Sequence, residues 1–360
     1  MRMGEFDRQV RERARALGFE HVGVASAARS IEPDFGRYEA FIEAGMHGTM
    51  GYLAEAREAR RRLDTNAILE GARSIVCVAE RYAGVEPTAS DAGIVQHIAR
   101  YARGGDYHNH LRRRVRKLAA FIRTLGESTR ARPMTDDAPV LERAWAARAG
   151  LGFVGKNGLL IVPGLGSFVL LGEVVTTLEL VPDTSMPERC GSCTLCLDAC
   201  PTQAFERAFV LDPRRCIAYL TIELRGAMPA ELRLGVGEHL FGCDVCQEVC
   251  PYNRAHHGDV PPRYLPLERW RELSLEQLVD LDEERFRALT EGSPLKRATR
   301  QGLARNAITI LAGRRQLRYR ALLDSAAREH HDPVVREHAA WGLEQLAASA
   351  SQRENRTEEC

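Results

Sequence analysis

Cysteine spacing is the strongest chemical signal in this 360-residue chain. The stretch CGSCTLCLDACP, residues 190–201, has the order C-x2-C-x2-C-x3-C-P, and FGCDVCQEVCPYN, residues 241–253, repeats its second half. Zinc commonly takes four ligands from two CxxC pairs and has no use for the additional cysteine placed before proline. In bacterial proteins this run ligates 4Fe-4S clusters, and its fourth cysteine completes the other cluster of a pair. We therefore predict two 4Fe-4S clusters, with a zinc module as the alternative.

This crossover assigns each cysteine of the region to a cluster. The first predicted ligand set is Cys190, Cys193, Cys196 and Cys250. The second predicted set is Cys200, Cys216, Cys243 and Cys246, where Cys216 supplies the position that the second motif lacks. Cys77, in an apolar run, and Cys360, on a polar tail, are left over. Because two clusters form an electron path, we expect a further cofactor that accepts the electrons in the N-terminal part.

Composition limits the class of protein. Hydrophobic residues make up 44% of the chain and the net charge is +1, which is ordinary for a globular protein. The first residues are charged and helical in pattern rather than an export signal, and no apolar run approaches the roughly 18 residues of a membrane span. Cysteines clustered in CxxC spacings without an export signal favour metal over disulfides. We expect a cytoplasmic protein that does not bind membranes.

Three segments must position these cysteines. Residues 1–180 mix helical patterns with short apolar runs at residues 21–25, 74–79, 158–162 and 168–177, so they predict an α/β domain. The last two runs are joined by PGLGS and predict a β-hairpin. Residues 181–260 carry the cysteines, and residues 261–360 read as helical throughout. Two patterns in this last segment, LARNAITILAG and DPVVREHAAWGLEQLA, resemble HEAT-type repeats, and Asp332 with Pro333 predicts a helix start.

Two further motifs do not carry the chemistry they suggest. GLGFVG, residues 150–155, fits a dinucleotide fingerprint, but a helical pattern precedes it and a strand pattern follows it, which is the reverse of the required context. Gly150 is better read as a helix C-cap. DYHNHL, residues 106–111, begins like a cobalt-ligating motif but has Leu111 where that motif needs glycine. We assign no axial histidine from it.

Basic residues are unevenly distributed. Residues 285–320 hold nine arginines and one lysine against Glu291 alone, and residues 100–117 hold six arginines and Lys117 against Asp106 alone. Each segment is a candidate surface for a polyanion. The alternative is that each run is only a solvated helix face.

Several segments, in order and over nearly the full length, resemble the epoxyqueuosine reductase family. They are RYARGGDYH (100–108), DDAPVLERAWAARAGLGFVGKN (136–157), RRCIAYLTIELRG (214–226) and the two cysteine motifs. Phe153 departs mildly from the family, where tryptophan is common. The resemblance implies a cobalamin-binding α/β domain over 1–180 that holds base-off cobalamin, a ferredoxin-like two-cluster domain over 181–260, and an all-α HEAT-like domain over 261–360 that contacts tRNA.

The resemblance also implies a reaction, the two-electron reduction of epoxyqueuosine to queuosine at the wobble position of a tRNA. Opening an epoxide leaves an alkoxide that needs a proton, and Asp136 matches the family's proton donor. Its pKa should then be raised, which burial against the corrin would achieve. Asp137 is taken as a bystander. The alternative role for Asp136 is a helix cap.

Other residues fall in family motifs near the expected cofactor or in the basic run. The implied cobalamin contacts are Arg100, Tyr107, Asp136, Lys156, Asn157 and Thr221. The predicted tRNA contacts are Lys296, Arg297, Arg300 and Arg305, with Arg314, Arg315 and Arg318 on the same face, and Arg112–Arg116 is the alternative surface. We expect a monomer reduced by an external donor such as a flavodoxin or ferredoxin. The competing classes are a reductive-dehalogenase-like enzyme and a non-catalytic electron carrier.

The cluster assignment predicts an iron content of about eight atoms per chain after anaerobic reconstitution, since two cubes of four are implied. Cys216→Ser should lose about half of this iron and the reduced-state signal of one cluster, because one ligand of the second set is removed. Cys360→Ser is the matched control and should keep both. Iron analysis with electron paramagnetic resonance measures the effect. Full iron content in Cys216→Ser would contradict the second set.

Overall fold

The computed structural model describes residues 2–84, 93–254 and 260–358, so Cys360 lies outside the described residues. The described strands are β1 (His21–Ser26), β2 (Ser74–Arg81), β3 (Ala131–Met134), β4 (Phe153–Val154), β5 (Leu160–Ile161), β6 (Val169–Thr176), β7 (Phe205–Arg207) and β8 (Val210–Leu211). The described α-helices are α1 (Arg2–Ala16), α2 (Asp34–Glu43), α3 (Arg57–Arg61), α4 (Tyr107–Arg123), α5 (Glu142–Arg148), α6 (Leu195–Asp198), α7 (Ala230–Arg233), α8 (Val245–Glu248), α9 (Glu268–Arg271), α10 (Glu283–Thr290), α11 (Thr299–Gly313), α12 (Arg320–Glu329) and α13 (Pro333–Glu358). None of these helices combines the length and apolar character that a bilayer crossing requires.

A four-stranded antiparallel sheet in the order β1-β2-β6-β3 forms the centre of the N-terminal part. Its central strands, SIVCVAER and VLLGEVVT, are rich in β-branched residues and largely buried. Helix α5 packs on one face around Trp145, and α1 and α4 pack on the other around Val10 and Val115. The mixed α/β fold is therefore confirmed, and strands occur at all four predicted apolar runs.

The predicted hairpin between residues 158–162 and 168–177 is wrong. Strand β5 pairs with β4, Leu160 opposite Val154, and not with β6. The connecting loop instead closes on itself, because Val162 and Gly166 exchange backbone hydrogen bonds of 2.9 and 2.8 Å. Strand β6 then enters the large sheet between β2 and β3, where its apolar run is paired on both sides. Sequence inspection missed β3, because ARPM is short and partly polar.

The GLGFVG segment follows a helix and leads into a strand, in the order that the sequence predicts. Helix α5 ends at Arg148, and Gly150 adopts a left-handed φ of 72° two residues later. The Gly150 amide donates to the Ala147 carbonyl at 3.1 Å, and β4 follows. Left-handed backbone after a helix favours glycine. Every pair of described strands is antiparallel, so the described part contains no parallel βαβ unit for a dinucleotide.

The cysteine-rich segment contains little regular structure. Its two motifs carry one-turn helices, α6 and α8, which contact each other, and a short β7–β8 ribbon lies between the motifs in sequence. A small apolar cluster around Leu220, Met228 and Val236 supports the polypeptide between them. Phe153 and Ile161 of the β4–β5 ribbon pack against Cys250, so the α/β part braces one side of the segment.

The last segment is helical, as expected, and α11, α12 and α13 pack against one another. Asp332 caps α13, because its side chain accepts a hydrogen bond from the Val334 amide at 2.8 Å, as the sequence predicts. The apolar core of these helices extends beyond the segment and includes Ile94, Ile98 and Phe241. The helical part is therefore packed directly on the cysteine-rich part and on the chain that precedes α4.

Candidate active site and cluster sites

Asp136 lies in the loop after β3, opposite the first turn of α4. Helix α4 begins at Tyr107 because the Asp106 side chain caps it, accepting from the His108 amide at 3.0 Å. This start places two side chains on the Asp136 carboxyl: Tyr107 O–H donates to Oδ2 at 2.6 Å, and His108 Nε2 lies 3.1 Å from the same oxygen. The Asp136 side chain remains 53% exposed. Asp136, Tyr107 and His108 therefore form an acid–base trio, and its carboxyl group is accessible from the surface.

The charges within this trio favour a protonated histidine. Hydrogen bonds to Asp106 and then to Asp136 raise the pKa of His108 to about 9. Hydrogen bonding to His108, and then to Tyr107, lowers the pKa of Asp136, whereas burial and Asp136 raise the pKa of Tyr107. The described side chains by themselves thus lower the pKa of Asp136, and the upward shift expected from burial against the corrin stays a prediction. The ion pair with His108 outweighs the desolvation of the carboxyl group.

The backbone at Asp136 is held in a sparsely populated conformation. Its φ is 46°, in the left-handed region that non-glycine residues rarely adopt. The amide of Asp136 donates to Glu142 Oε1 at 2.6 Å. Asp137 is directed differently, since its carboxylate pairs with Arg112 at 2.7 Å. Asp136 is thus the member of the doublet that joins the trio.

One wall of the site comes from residues distant in sequence. Arg297 forms an ion pair with Glu223 and donates to Tyr52 Oη at 2.9 Å. Glu223 ends a π-helical turn, Tyr219–Glu223, a type of helix irregularity that is frequent at functional sites. Tyr219 Oη in turn accepts from the Thr49 amide at 2.9 Å. The Tyr52 ring is 46% exposed, so an apolar surface lies within the electrostatic reach of Asp136.

The cysteine thiols form two electrostatic neighbourhoods. Cys250 interacts with Cys193 and Cys196, and Cys190 interacts with Cys196. Cys216 interacts with Cys200, and both Cys243 and Cys246 interact with Cys216. Burial raises the pKa of Cys190 to about 11 and of Cys243 to about 12, so these groups need a bound cation to become thiolates. The two predicted ligand sets stay a prediction, which this grouping supports, and Cys196 also interacts with Cys246 of the other group.

Aromatic side chains connect the trio with the second set of cysteines. The Tyr101 ring lies 5.9 Å from the Tyr107 ring and 6.3 Å from the Phe241 ring. Phe241 stands two residues before Cys243. The second set therefore lies nearer the trio than sequence separation suggests.

The other predicted cofactor contacts lie elsewhere. Lys156 Nζ donates to the carbonyls of Gly191 (2.5 Å) and Cys193 (3.0 Å), and Asn157 Nδ2 donates to Cys246 O at 3.4 Å. Both residues therefore hold the cysteine loops, because the loop carbonyls face them. Thr221 is buried, and its hydroxyl accepts from the Gly242 amide and donates to the Ile217 carbonyl. The Thr221 hydroxyl is thus used in hydrogen bonds that stabilise the fold.

Arg100 lies beside the second cysteine motif. Its amide donates to Asp244 at 2.7 Å, its guanidinium reaches Glu248 at 3.2 Å, and it lies 5.0 Å over the Phe168 ring. Of the six predicted cofactor contacts, the structure therefore brings only Tyr107 and Asp136 together.

The basic run of residues 285–320 does not form one open face. Arg305 is 1% exposed, and its guanidinium donates to the carbonyls of Leu220 and Gly226 at 2.6 and 2.7 Å, so its prediction as a tRNA contact is wrong. Arg300 donates to Leu281 O and reaches Glu283, and Arg314 pairs with Glu238. These arginines serve packing because acceptor groups surround them.

Sequence reasoning missed three groups of this site. His108, Tyr52 and Glu223 all contact the Asp136 surroundings through the bonds described above. A signal existed only for His108, since the Asp-x-His order of DYHNHL lets Asp106 cap the helix and orient the imidazole at once. The positions of Tyr52 and Glu223 depend on tertiary packing and leave no local pattern.

Two four-cysteine neighbourhoods beside an acid–base trio define an iron–sulfur oxidoreductase. Two family models match the chain: 4Fe-4S double cluster binding domain over residues 189–253, and Epoxyqueuosine reductase QueG, DUF1730, over residues 62–137. Epoxyqueuosine reductase from Gloeobacter violaceus is 41% identical over 84% of this chain and 95% of its own length. The Escherichia coli protein of that name is 34% identical over 95% and 90%. The chain belongs to the epoxyqueuosine reductase family.

Solved structures agree. A crystal structure of epoxyqueuosine reductase with an epoxyqueuosine-modified tRNA-Tyr stem loop matches with a TM-score of 0.86 at 30% identity, covering 95% of this chain and 90% of that chain. The Bacillus subtilis enzyme, with its catalytic loop swung out of the active site, matches with a TM-score of 0.86 at 29% identity, covering 99% and 95%.

Asp106 and Asp136, the two acidic partners of His108, predict that the imidazole titrates with a raised pKa. The imidazole pKa should lie near 9 in the wild type and fall in Asp106→Asn, which keeps a capping residue but removes the charge of the larger cause. Because this pKa is raised, the resulting stabilisation is complete below the ordinary value of 6.5 and is lost as pH rises through about 9. Nuclear magnetic resonance of labelled histidines measures both values. His110, whose pKa is lowered by burial, is the internal control. Equal pKa values for the two histidines would contradict the ion pair.

Proposed function

We infer that this chain reduces epoxyqueuosine to queuosine in tRNA. The observation that carries the inference is the half-exposed Asp136 carboxyl, bonded by Tyr107 and His108 and connected through aromatic rings to the second group of cysteines. Membership of the family supplies the substrate. The reaction takes two electrons and two protons, removes the epoxide oxygen as water and leaves a carbon–carbon double bond. A non-catalytic electron carrier would have no use for the trio.

The eight cysteines supply the electrons. We assign the first cluster to Cys190, Cys193, Cys196 and Cys250, and the second to Cys200, Cys216, Cys243 and Cys246. The grouping of the thiols and the matched double-cluster domain support these sets. Cys196 also interacts with Cys246, so the two sets adjoin. Electrons from an external flavodoxin or ferredoxin would enter at the first set and leave toward the trio from the second.

The residues around Asp136 fit a corrin. A flat macrocycle needs an apolar surface with polar groups at its edge, and the exposed Tyr52 ring with Arg297, Glu223 and the trio offers both. Tyr52, Tyr107 and Asp136 would face base-off cobalamin. When bound, cobalamin supplies low-valent cobalt for the reduction of the strained ring. Lys156, Asn157 and Thr221 are not part of this proposal, because they hold other parts of the chain.

The trio supplies the proton that the alkoxide of the opened epoxide needs, and solvent supplies the second proton of the reaction. At neutral pH the transferable proton resides on His108, since its pKa is near 9 while that of Asp136 is lowered. Asp136 Oδ2 is the exposed end of the hydrogen bonds from His108 and Tyr107, so it delivers this proton to the oxygen of the opening epoxide. Asp106 keeps the imidazole oriented during the transfer.

The remaining assignments concern organisation. We propose the division into residues 1–180, 181–260 and 261–360, with HEAT-like pairing in the last segment, supported by the mutual packing of α11, α12 and α13. We further propose a monomer located in the cytoplasm, where tRNA is modified.

Asp136→Asn should retain both clusters and bound cobalamin and lose turnover by about 10² to 10⁴, because a general acid is removed. Asp137→Asn is the matched control and should lose far less, since Asp137 pairs with Arg112 instead of joining the trio. Single-turnover formation of queuosine in a modified stem-loop measures the effect. Equal losses in the two variants would contradict the role of Asp136.

For tRNA we propose a surface made by Lys296 near the site and by Arg113, Arg116 and Lys117 on α4. These residues are exposed, and none forms an ion pair within the described residues. Arg113, Arg116 and Lys117 share one helix face at i, i+3 and i+4. Helix α4 starts at the trio, so this face leads directly away from it at about 1.5 Å per residue.

Arg113→Glu with Arg116→Glu should weaken stem-loop binding because fewer counterions are released. The slope of log affinity against log salt should fall by about 0.7 to 0.9 for each phosphate that is no longer neutralised. Lys296→Glu should act in the same direction through a single phosphate. Arg328→Glu is the control, since Arg328 is exposed and pairs only within its own helix. Binding at several salt concentrations measures the slopes. Unchanged slopes in both test variants would place the RNA surface elsewhere.

A further inference from the structure

A second pair of carboxyl groups lies beneath the Asp136 loop. Glu173 stands in the middle of β6, opposite Cys77 of β2 and Met134 of β3, and is 0% exposed. It shares its sheet face with the apolar residues Leu171 and Val175, on the side that α5 covers. Glu142 is the first residue of α5. A buried glutamate in the centre of a strand is costly and calls for a role.

The two carboxyl groups contact each other and one of them holds the loop. Glu142 and Glu173 lie within hydrogen-bonding reach. Glu142 Oε1 also accepts the Asp136 amide at 2.6 Å. Neither oxygen of Glu173 has a donor among the described residues, so Glu142 is its natural partner.

These two carboxylates in contact cannot both be ionised, because like charges repel strongly and Glu173 is fully buried, while Glu142 is partly buried. One proton must therefore be shared. The Asp136 amide favours charge on Glu142, whereas a negative charge on Glu173 would have no donor among the described residues, so the shared proton resides on Glu173. Glu173 is thus the donor and Glu142 the acceptor. The pKa of Glu142 is raised to about 7 and that of Glu173 well above its ordinary value, both mainly by burial, which agrees with this distribution.

We propose that protonated Glu173 and Glu142 form a latch that positions Asp136: Glu173 donates to Glu142, and Glu142 accepts the amide of the Asp136 loop. The latch offsets the unfavourable left-handed φ of Asp136. Glu142 and Glu173 are positioning residues and do not touch substrate. The inference rests on the proposed function in one respect, which is that the loop it positions carries the acid of the reaction.

The latch has a defined pH dependence. The groups facing Glu173 are Cys77 on β2, Glu142 on α5 and Asp136 on the loop, and Arg143 lies beside Glu142. Cys77 also has a raised pKa because of burial, so it adds no charge near neutral pH. Because the pKa of Glu142 is about 7 and that of Glu173 is raised well above its ordinary value, the latch with an ionised acceptor forms as pH rises through about 7. It is lost as pH rises through the pKa of Glu173, when a second negative charge forms next to Glu142.

The test compares two replacements of Glu173 in the reconstituted enzyme. Glu173→Gln keeps the shape and donates to Glu142 through its amide at any pH. Glu173→Leu fills similar space without a donor. Glu80→Gln is the matched control, since Glu80 is a buried glutamate on β2 whose partners, Arg114 and Arg263, lie away from the loop. Hydrogen–deuterium exchange of the segment 135–141 reports the loop directly, and single-turnover kinetics report its consequence.

In Glu173→Leu the Asp136 amide should exchange about tenfold faster, the worth of one hydrogen bond to a charged group. Turnover should fall by a similar factor while the KM for the stem-loop stays unchanged. Glu173→Gln should restore both, and it should keep its protection at alkaline pH where the wild type loses it, after correction for intrinsic exchange. Glu80→Gln should leave loop exchange unchanged.

Three outcomes would overturn the latch: unchanged exchange in Glu173→Leu, equal damage in Glu173→Gln and Glu173→Leu, or an identical alkaline loss of protection in Glu173→Gln and the wild type. Faster exchange in Glu173→Leu with undiminished turnover would support the latch and contradict the catalytic role of Asp136 instead. The two proposals therefore fail separately.

Discussion

The hydrogen bonds that meet at Asp136 join three elements that are far apart in sequence. Oδ2 of this residue accepts from Tyr107 and lies next to His108 at the start of α4, while its amide reaches Glu142 at the start of α5. The side chains that make these contacts all belong to the first turn of a helix, so their positions depend on where that helix begins. Asp106 is therefore as necessary as His108, since it fixes where α4 begins and how the imidazole points. The sheet holds both helices in register with the loop.

Burial of charge shapes the rest of the molecule in the same way. Arg305 is surrounded by main-chain carbonyls of residues 220–226, the segment that contains the π-helical turn ending at Glu223. Asn306 adds bonds to Thr221 O and Leu240 O at 2.8 Å. The helical segment thus fixes the turn, and the turn fixes Glu223 against Arg297 at the wall of the site. Removing such a cation would leave several carbonyls without donors, which is more costly than losing a surface pair.

The sequence predicted what depends on local spacing. The cysteine motifs were readable because cluster geometry constrains neighbours along the chain, and the Asp332 cap was readable because capping acts within one turn. The β4–β5 pairing was not, since strand partners are chosen by tertiary burial. Lys156 and Asn157 lie in a recognisable motif, yet their side chains face the cysteine loops, a destination fixed only in three dimensions. The contact of Glu173 with Glu142 could not be predicted for the same reason, because Glu173 lies within an apolar run whose pattern indicates only a strand.

Electrons and protons are supplied to the site by different groups, and this division constrains its chemistry. Iron–sulfur clusters transfer electrons singly, whereas epoxide reduction consumes two. The side chains of the trio move protons and hold charge, but a tyrosine, a histidine and an aspartate do not store an electron pair. A centre that accumulates two electrons is therefore required in the space beside Asp136. The exposed Tyr52 ring and the Arg297–Glu223 pair border that space, so the chain provides the surface while the cofactor must provide the electron storage.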